Sequence, residues 1–171
     1  MDDYVLTRRS VRKFKNESIN KNDIDLLIRA GFSAPTARNQ KSKAFVVVDN
    51  KDVLNKLAMV SNHSLFIKDA PLCIAVVGED KNKLLTPLMA DQDLASATTA
   101  ILIMARSLNI GSCWIGISPI EERMNKANEI LGINDGRFVF SLIVLGYPND
   151  DKAFYDAKKE DYTKVFYNEV K

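Results

Sequence analysis

Four apolar runs limit what this chain can fold into: AFVVVD (44–49), LCIAVVG (72–78), SCWIGI (112–117) and RFVFSLIVLGY (137–147). The first two are continuous and β-branched rather than alternating, so they read as buried strands. The segments between them carry helical spacing. Asn20 caps a helix over INKNDIDLLIRAGF, with Asp23 in its first turn and Ile24, Leu27 and Ile28 on one face. Residues 50–60 also read as helix, and residues 2–7 as one short helical turn. The longest periodic stretch opens at Thr86-Pro87 and runs to about Asn109. Thr86 is its expected cap and Pro87 its first helical residue. Its stripe of Ile101, Leu102, Ala105 and Leu108, with small residues on earlier turns, implies burial inside a domain or between subunits. A last helix is expected over 118–132, with Ser118 as cap, Pro119 first and Glu121 three residues after the cap.

Read this way, the chain is a generic α/β protein. It shows no internal repeat, no low-complexity run and no linker, so we expect one domain over 1–171. The tail, 148–171, is polar but spaced with Phe154, Tyr155, Tyr162, Phe166 and Tyr167. It holds too many aromatics for a disordered segment and too few aliphatics for its own core. It is expected to lie across something else, a second subunit being one candidate.

Charge is distributed unevenly. TRRSVRKFKN (7–16) holds Arg8, Arg9, Arg12, Lys13 and Lys15 and no acid, in a chain of net charge +2. A near-neutral balance argues against a nucleic-acid binder and for a small, local anion. Arg8 and Arg12 share a side whether the segment is helical or extended, and Ser10 joins them if it is extended. Two guanidinium forks and a hydroxyl suit a phosphate or carboxylate, although a solvated basic face has the same pattern. APTARNQ (34–40) is either an ordinary helix-to-strand connection or a polar loop that carries a site. GSCWIG (111–116) is either a core strand or a place where glycine lets a planar ligand approach the main chain.

Other chemistries are poorly served. The single His63 sits in polar SNHS, and nothing marks a triad. One histidine and no CxxC make a metal site improbable. Cys73 and Cys113 lie in apolar runs and read as free thiols in a reducing compartment. Cys113 has no cation beside it in sequence and reads as core rather than nucleophile. The amino terminus shows no signal-peptide pattern, and no run of about 18 apolar residues marks a membrane span, so a cytoplasmic protein is expected.

Taken in order, RRSVRKF, SAPTARNQ, the long buried helix, GSCWIGISP and LGYP resemble the nitroreductase family of FMN-dependent oxidoreductases. The resemblance covers nearly the whole chain. It implies an α+β fold with a mixed central sheet, and an intertwined homodimer with an exchanged C-terminal arm. It assigns the FMN phosphate and pyrimidine side to Arg8, Ser10 and Arg12, with Arg9 assisting. Pro35, Thr36, Ala37 and Asn39 match a loop that reaches the flavin from the other subunit. Ile115 and Gly116 match the main chain beside flavin N5. Lys159 matches a late basic residue that the family places near the phosphate, with Lys158 as its alternative. No side chain is assigned as catalytic. NADH or NADPH would reduce the flavin and a small-molecule acceptor (nitroaromatic, quinone or free flavin) would reoxidise it, in two alternating half-reactions. A member with another reaction (dehydrogenation or reductive dehalogenation) and a non-catalytic flavin carrier are the alternatives. Where relatives often continue Asn-x-Gln-Pro-Trp, this chain reads Asn39-Gln40-Lys41-Ser42-Lys43, which leaves the rigidity of that loop open.

Overall fold

The computed structural model describes residues 3–170. Its helices are α1 (Tyr4–Thr7), α2 (Lys21–Ser33), α3 (Lys51–Ala58), α4 (Ala90–Ser107) and α5 (Glu121–Leu131). Its strands are β1 (Lys43–Val48), β2 (Leu72–Gly78), β3 (Gly111–Gly116) and β4 (Phe138–Gly146). All four apolar runs are strands of one sheet, ordered β1-β2-β4-β3. The expected turn at 2–7 is α1, capped by Asp3; its Asp2 lies outside the described residues.

The three ladders are antiparallel. The parallel component is one bridge, Ser10 to Ser112, which sets the amino-terminal segment against β3. The mixed character expected of the sheet is thus confined, among the described residues, to that bridge. Continuous apolar strands need cover on both faces, and the structure supplies it. On one face Cys73, Ala75, Val77, Cys113 and Val144 pack with α3 and α5. On the other Leu72, Ile74, Val76 and Ile143 meet α2 and α4. No helix of the described residues is long and apolar enough to cross a membrane.

Two helix starts differ from expectation, and both are decided by tertiary hydrogen bonds. Thr86 does not cap α4. Its N–H donates to Gln40 Oε1 at 2.9 Å and its carbonyl accepts from Gln40 Nε2 at 3.2 Å. Pro87–Met89 form a single 3₁₀ turn, and α4 proper begins at Ala90. Likewise Ser118 and Pro119 do not start α5. The N–H groups of Ile117 and Ser118 both donate to Phe140 O, at 3.2 and 3.0 Å, so the chain stays on the sheet edge until Ile120. Phe140 is the extra residue of a bulge: Val76 faces Ser141 while Val77 faces Val139. Bulges re-aim the backbone near sites, and this one faces the end of β3.

The amino-terminal segment approaches β3 very closely. A Cβ on Gly111 would lie 2.9 Å from Val11 Cβ and Cγ1 and 3.1 Å from Gly146 O. Gly111→Ala is therefore expected to cost about 1–3 kcal/mol through overpacking. Urea denaturation measures the loss, and residues 8–15 should become the preferred site of limited proteolysis. Wild-type stability together with a wild-type cleavage pattern would show that the seam tolerates the methyl group.

Candidate functional site

The basic segment is extended, so Arg8, Ser10 and Arg12 fall on one side. Val11 N–H donates to Ser112 O at 2.9 Å and Lys15 N–H to Tyr147 O at 2.8 Å; Asn149 N–H donates back to Lys13 O at 3.2 Å. Val11 and Phe14 point inward and are buried. The cations are left outward, around a cleft of about 530 Å³ lined by Arg8, Arg9, Ser10, Arg12, Tyr155 and Lys159, among others. That volume falls inside the roughly 300–1,000 Å³ range of small-molecule sites. Of the two late lysines, Lys159 lines the cleft; the adjacent Lys158 takes a left-handed φ of 45°.

Among the described residues no ion pair involves Arg8, Arg9, Arg12 or Lys159. The acid on the cleft wall is Asp150, whose Oδ1 accepts from the Lys152 N–H. Arg9 Nε is buried without a hydrogen-bond partner, and its guanidinium lies 4.8 Å from the centroid of the Tyr155 ring. A cleft with this donor surplus is built for an anion.

Cys113 is buried in the core behind the cleft, within reach of Ser10 and Arg12. Burial pushes the thiol pKa up, while the Arg12 charge, the Ser10 hydroxyl and the Arg8 charge pull it back. Cations absent from its sequence neighbourhood are therefore close in space, which corrects the sequence-based view of this thiol's surroundings. Cys73, fully enclosed, is pushed up to about 12. Three residues beyond Ser112, about 10 Å along the strand at roughly 3.3 Å per residue, β3 ends at Ile115 and Gly116. Ile115 is buried, and a Cβ on Gly116 would meet nothing within 4 Å. Arg123 Nη1 donates to Gly116 O at 2.9 Å and steadies that end.

Pro35, Thr36, Ala37 and Asn39 are elsewhere. They belong to the loop between α2 and β1 and do not line the cationic cleft. Arg38 and Asn39 take left-handed φ values of 51° and 54°. Despite the missing Pro-Trp, the loop is firmly tied. Ala37 N–H donates to Asp93 Oδ1 at 2.8 Å, and Gln40 Nε2 donates to Asp93 Oδ2 at 2.7 Å. Sequence reasoning missed Asp93. Its signal was an acid directly beside Leu94, four residues before Ala97 and on the same side as that buried residue.

The tail divides in two. Pro148 bridges to Phe14, and Ala153 and Phe154 pack on the core, with Arg106 4.4 Å from the Phe154 ring. Further on, Tyr162, Val165, Phe166, Tyr167 and Val170 are exposed. His63 is exposed in a turn, away from the cleft.

The nitroreductase family model matches residues 5–64 and 59–147. The chain belongs to the nitroreductase family. The 38% identical Archaeoglobus fulgidus relative, which bears the provisional name NADH dehydrogenase/NAD(P)H nitroreductase, aligns over 90% of this chain and 88% of its own. A Clostridium acetobutylicum structure provisionally named NADH oxidase superposes with a TM-score of 0.92 at 32% identity, over 98% of this chain and all of that one. A Clostridium difficile FMN-dependent nitroreductase superposes with a TM-score of 0.90 at 29% identity, over 99% and 100%. These nitroreductase likenesses cover strands, helices and the cationic segment alike.

One contact of the cleft can be tested through its thiol. Arg12→Ala removes the charge that most favours the Cys113 thiolate, so the pH profile of Cys113 alkylation should move to higher pH. Cys73 should stay silent over the same range. An unmoved profile would mean that Arg12 points away from the thiol.

Proposed function

We propose that this chain is an FMN-dependent oxidoreductase. It passes electrons from NADH or NADPH to a small organic acceptor (a nitroaromatic, a quinone or a flavin) in two alternating half-reactions. The observation that carries this reading is the cationic cleft lined by Arg8, Ser10, Arg12 and Lys159, on a segment bridged to β3, the strand whose far end is open at Gly116. A phosphate suits the guanidinium forks, and the open side of Gly116 suits a flat ring system. FMN, when bound, supplies the hydride-accepting centre between donor and acceptor.

The chain's own residues would do the rest. Arg8, Ser10 and Lys159 hold the phosphate, and Arg9, stacked with Tyr155, closes that end. Arg12 places positive charge where negative charge gathers on reduction, an electrostatic rather than a proton-transfer role. The Ile115 main chain orients the ring, and the clear space at Gly116 lets it lie close. No acid or base is required, in keeping with an exposed His63.

The reading extends to a second copy. In one chain the 35–39 loop stands apart from the cleft, so it would complete the site of a partner. The reading is of a cytoplasmic homodimer of single-domain subunits, and two surfaces support the pairing. One is the groove of about 680 Å³ where Ala30 of α2 faces Ala100, Ile103 and Met104 of α4. The other is the exposed apolar tail after residue 160.

Arg8→Ala should lose a charge-assisted phosphate contact of about 1.5–3 kcal/mol, roughly a 10- to 150-fold weaker FMN dissociation constant. Flavin fluorescence titration of the purified protein measures it. Undiminished affinity would remove Arg8 from the site, and a wild-type protein that takes up no FMN would end the reading. Gly116→Val should weaken FMN binding while leaving thermal stability unchanged, because its side chain projects only into the space kept for the ring. Equal FMN affinity would place the ring elsewhere.

A further inference from the structure

The loop between α2 and β1 is held at a cost that its connecting role does not explain. Arg38 and Asn39 sit in the left-handed region, which costs an arginine roughly 1–3 kcal/mol although asparagine enters it more readily. Their side chains are exposed and, with that of Pro35, contribute little to this chain's own core. Beneath them lies Asp93, 4% exposed, a carboxylate buried in the first turn of α4. One of its oxygens accepts from the Ala37 N–H and the other from Gln40 Nε2. Gln40, 6% exposed, spends the rest of its amide on Thr86, donating to the carbonyl and accepting from the N–H. Lys43 Nζ donates to Ala34 O at 2.5 Å and closes the other side of the loop. Carboxylate, amide and ammonium thus clamp both ends of a short strained segment, and the α4 amino terminus is the anvil.

We propose that Asp93 is a positioning residue: through Ala37 N–H and Gln40 it holds residues 36–39 in the one backbone shape that presents them to the flavin of a partner copy. The proposal rests on the functional reading above. It assigns a task to Asp93 and Gln40, which touch neither the cationic cleft nor, in this chain, the open end of β3. The orientation of the Gln40 amide is dictated by Thr86, so it cannot flip to suit a changed residue 93. Asp93→Asn retains the acceptor for Ala37 but turns an N–H against the Gln40 N–H. Pairing D93N with Q40E restores a donor facing an acceptor at position 93 and keeps the acceptor for the Thr86 N–H, but sets a carboxylate oxygen against the Thr86 carbonyl.

The experiment compares wild type, D93N, D93N/Q40E and a control, Leu57→Val, which trims a buried side chain in the opposite core layer. Amide hydrogen exchange across 34–42 is read on the FMN-free protein, and FMN affinity by fluorescence titration. D93N should speed exchange at Ala37 and weaken FMN binding about tenfold or more, as loss of a hydrogen bond to a charged group implies. D93N/Q40E should recover part of both, because the 93–40 contact is restored while the Thr86 carbonyl is opposed, and Leu57→Val should lower thermal stability while moving neither. If D93N does not fold, Gln40→Met, which keeps the volume and drops the amide, carries the same expectation. Unchanged exchange, or faster exchange with wild-type FMN affinity, overturns the proposal while leaving the functional reading intact. A wild type that binds no FMN overturns the functional reading and the flavin part of the proposal together; loop exchange in D93N then still decides whether Asp93 holds the loop.

Discussion

Val11 donates its N–H to Ser112 and rests its side chain on Gly111, and most of the cationic cleft follows from that seam. An extended segment has a two-residue period, so burying Val11 forces Arg8, Ser10 and Arg12 towards the opposite side. The hydrophobic gain is local and the electrostatic cost is shared. Two like charges roughly 8 Å apart repel by about 2 kcal/mol at an effective dielectric of 20. A helix in this place would keep Arg8 and Arg12 together but turn Ser10 away from them. The bridge between Ser10 and Ser112 keeps the segment extended, so all three line one concave cleft.

The bulge at Phe140 plays the matching part at the far end of β3. Its carbonyl takes two N–H groups, from Ile117 and Ser118. That keeps the chain on the sheet edge past Gly116 and delays α5 until Glu121. The neighbouring Ser141 is buried and its hydroxyl lies 3.0 Å from that of Thr98, so the irregular stretch of β4 is also tied to α4. One strand therefore carries both the anchor of the cationic segment, at Ser112, and the open rim, at Gly116. Their separation is set by strand geometry rather than by loops.

Much of this was legible in the sequence, for identifiable reasons. Continuous β-branched runs have few alternatives to buried strands, and all four were found to within about a residue at either end. The i, i+4 spacing of Arg8 and Arg12 placed them together before their secondary structure was known, and Ser10 joined them on the condition, now met, that the segment is extended. Thr86 and Ser118 were misread because capping is a local signal, while Gln40 and Phe140 compete for the same backbone groups from 46 and 22 residues away. Asp93 escaped because charge in a helix's first turn ordinarily means solvent and the helix dipole. Nothing in the sequence says that the N–H of Ala37 waits above it. The cations around Cys113 were invisible for the same reason, since Arg12 lies about a hundred positions away along the chain.

Rigidity is distributed unequally over the proposed site, and that has a mechanistic sense. The cationic cleft is fixed by strand pairing, whose loss would unravel the sheet edge. The 36–40 loop carries its own short backbone bonds, from Asn39 N–H to Thr36 O and Gln40 N–H to Ala37 O, but is held down on α4 through a carboxylate and an amide that a single substitution can disable. On the proposed reading binding and orientation are thereby separable: the grip on an anion would belong to backbone pairing, and the approach of the second element to Asp93 and Gln40. A reaction that needs two different partners to visit one cofactor in turn benefits from such a division. The cofactor must stay while its neighbours exchange, and only the latter task calls for a part that can be adjusted without loosening the former.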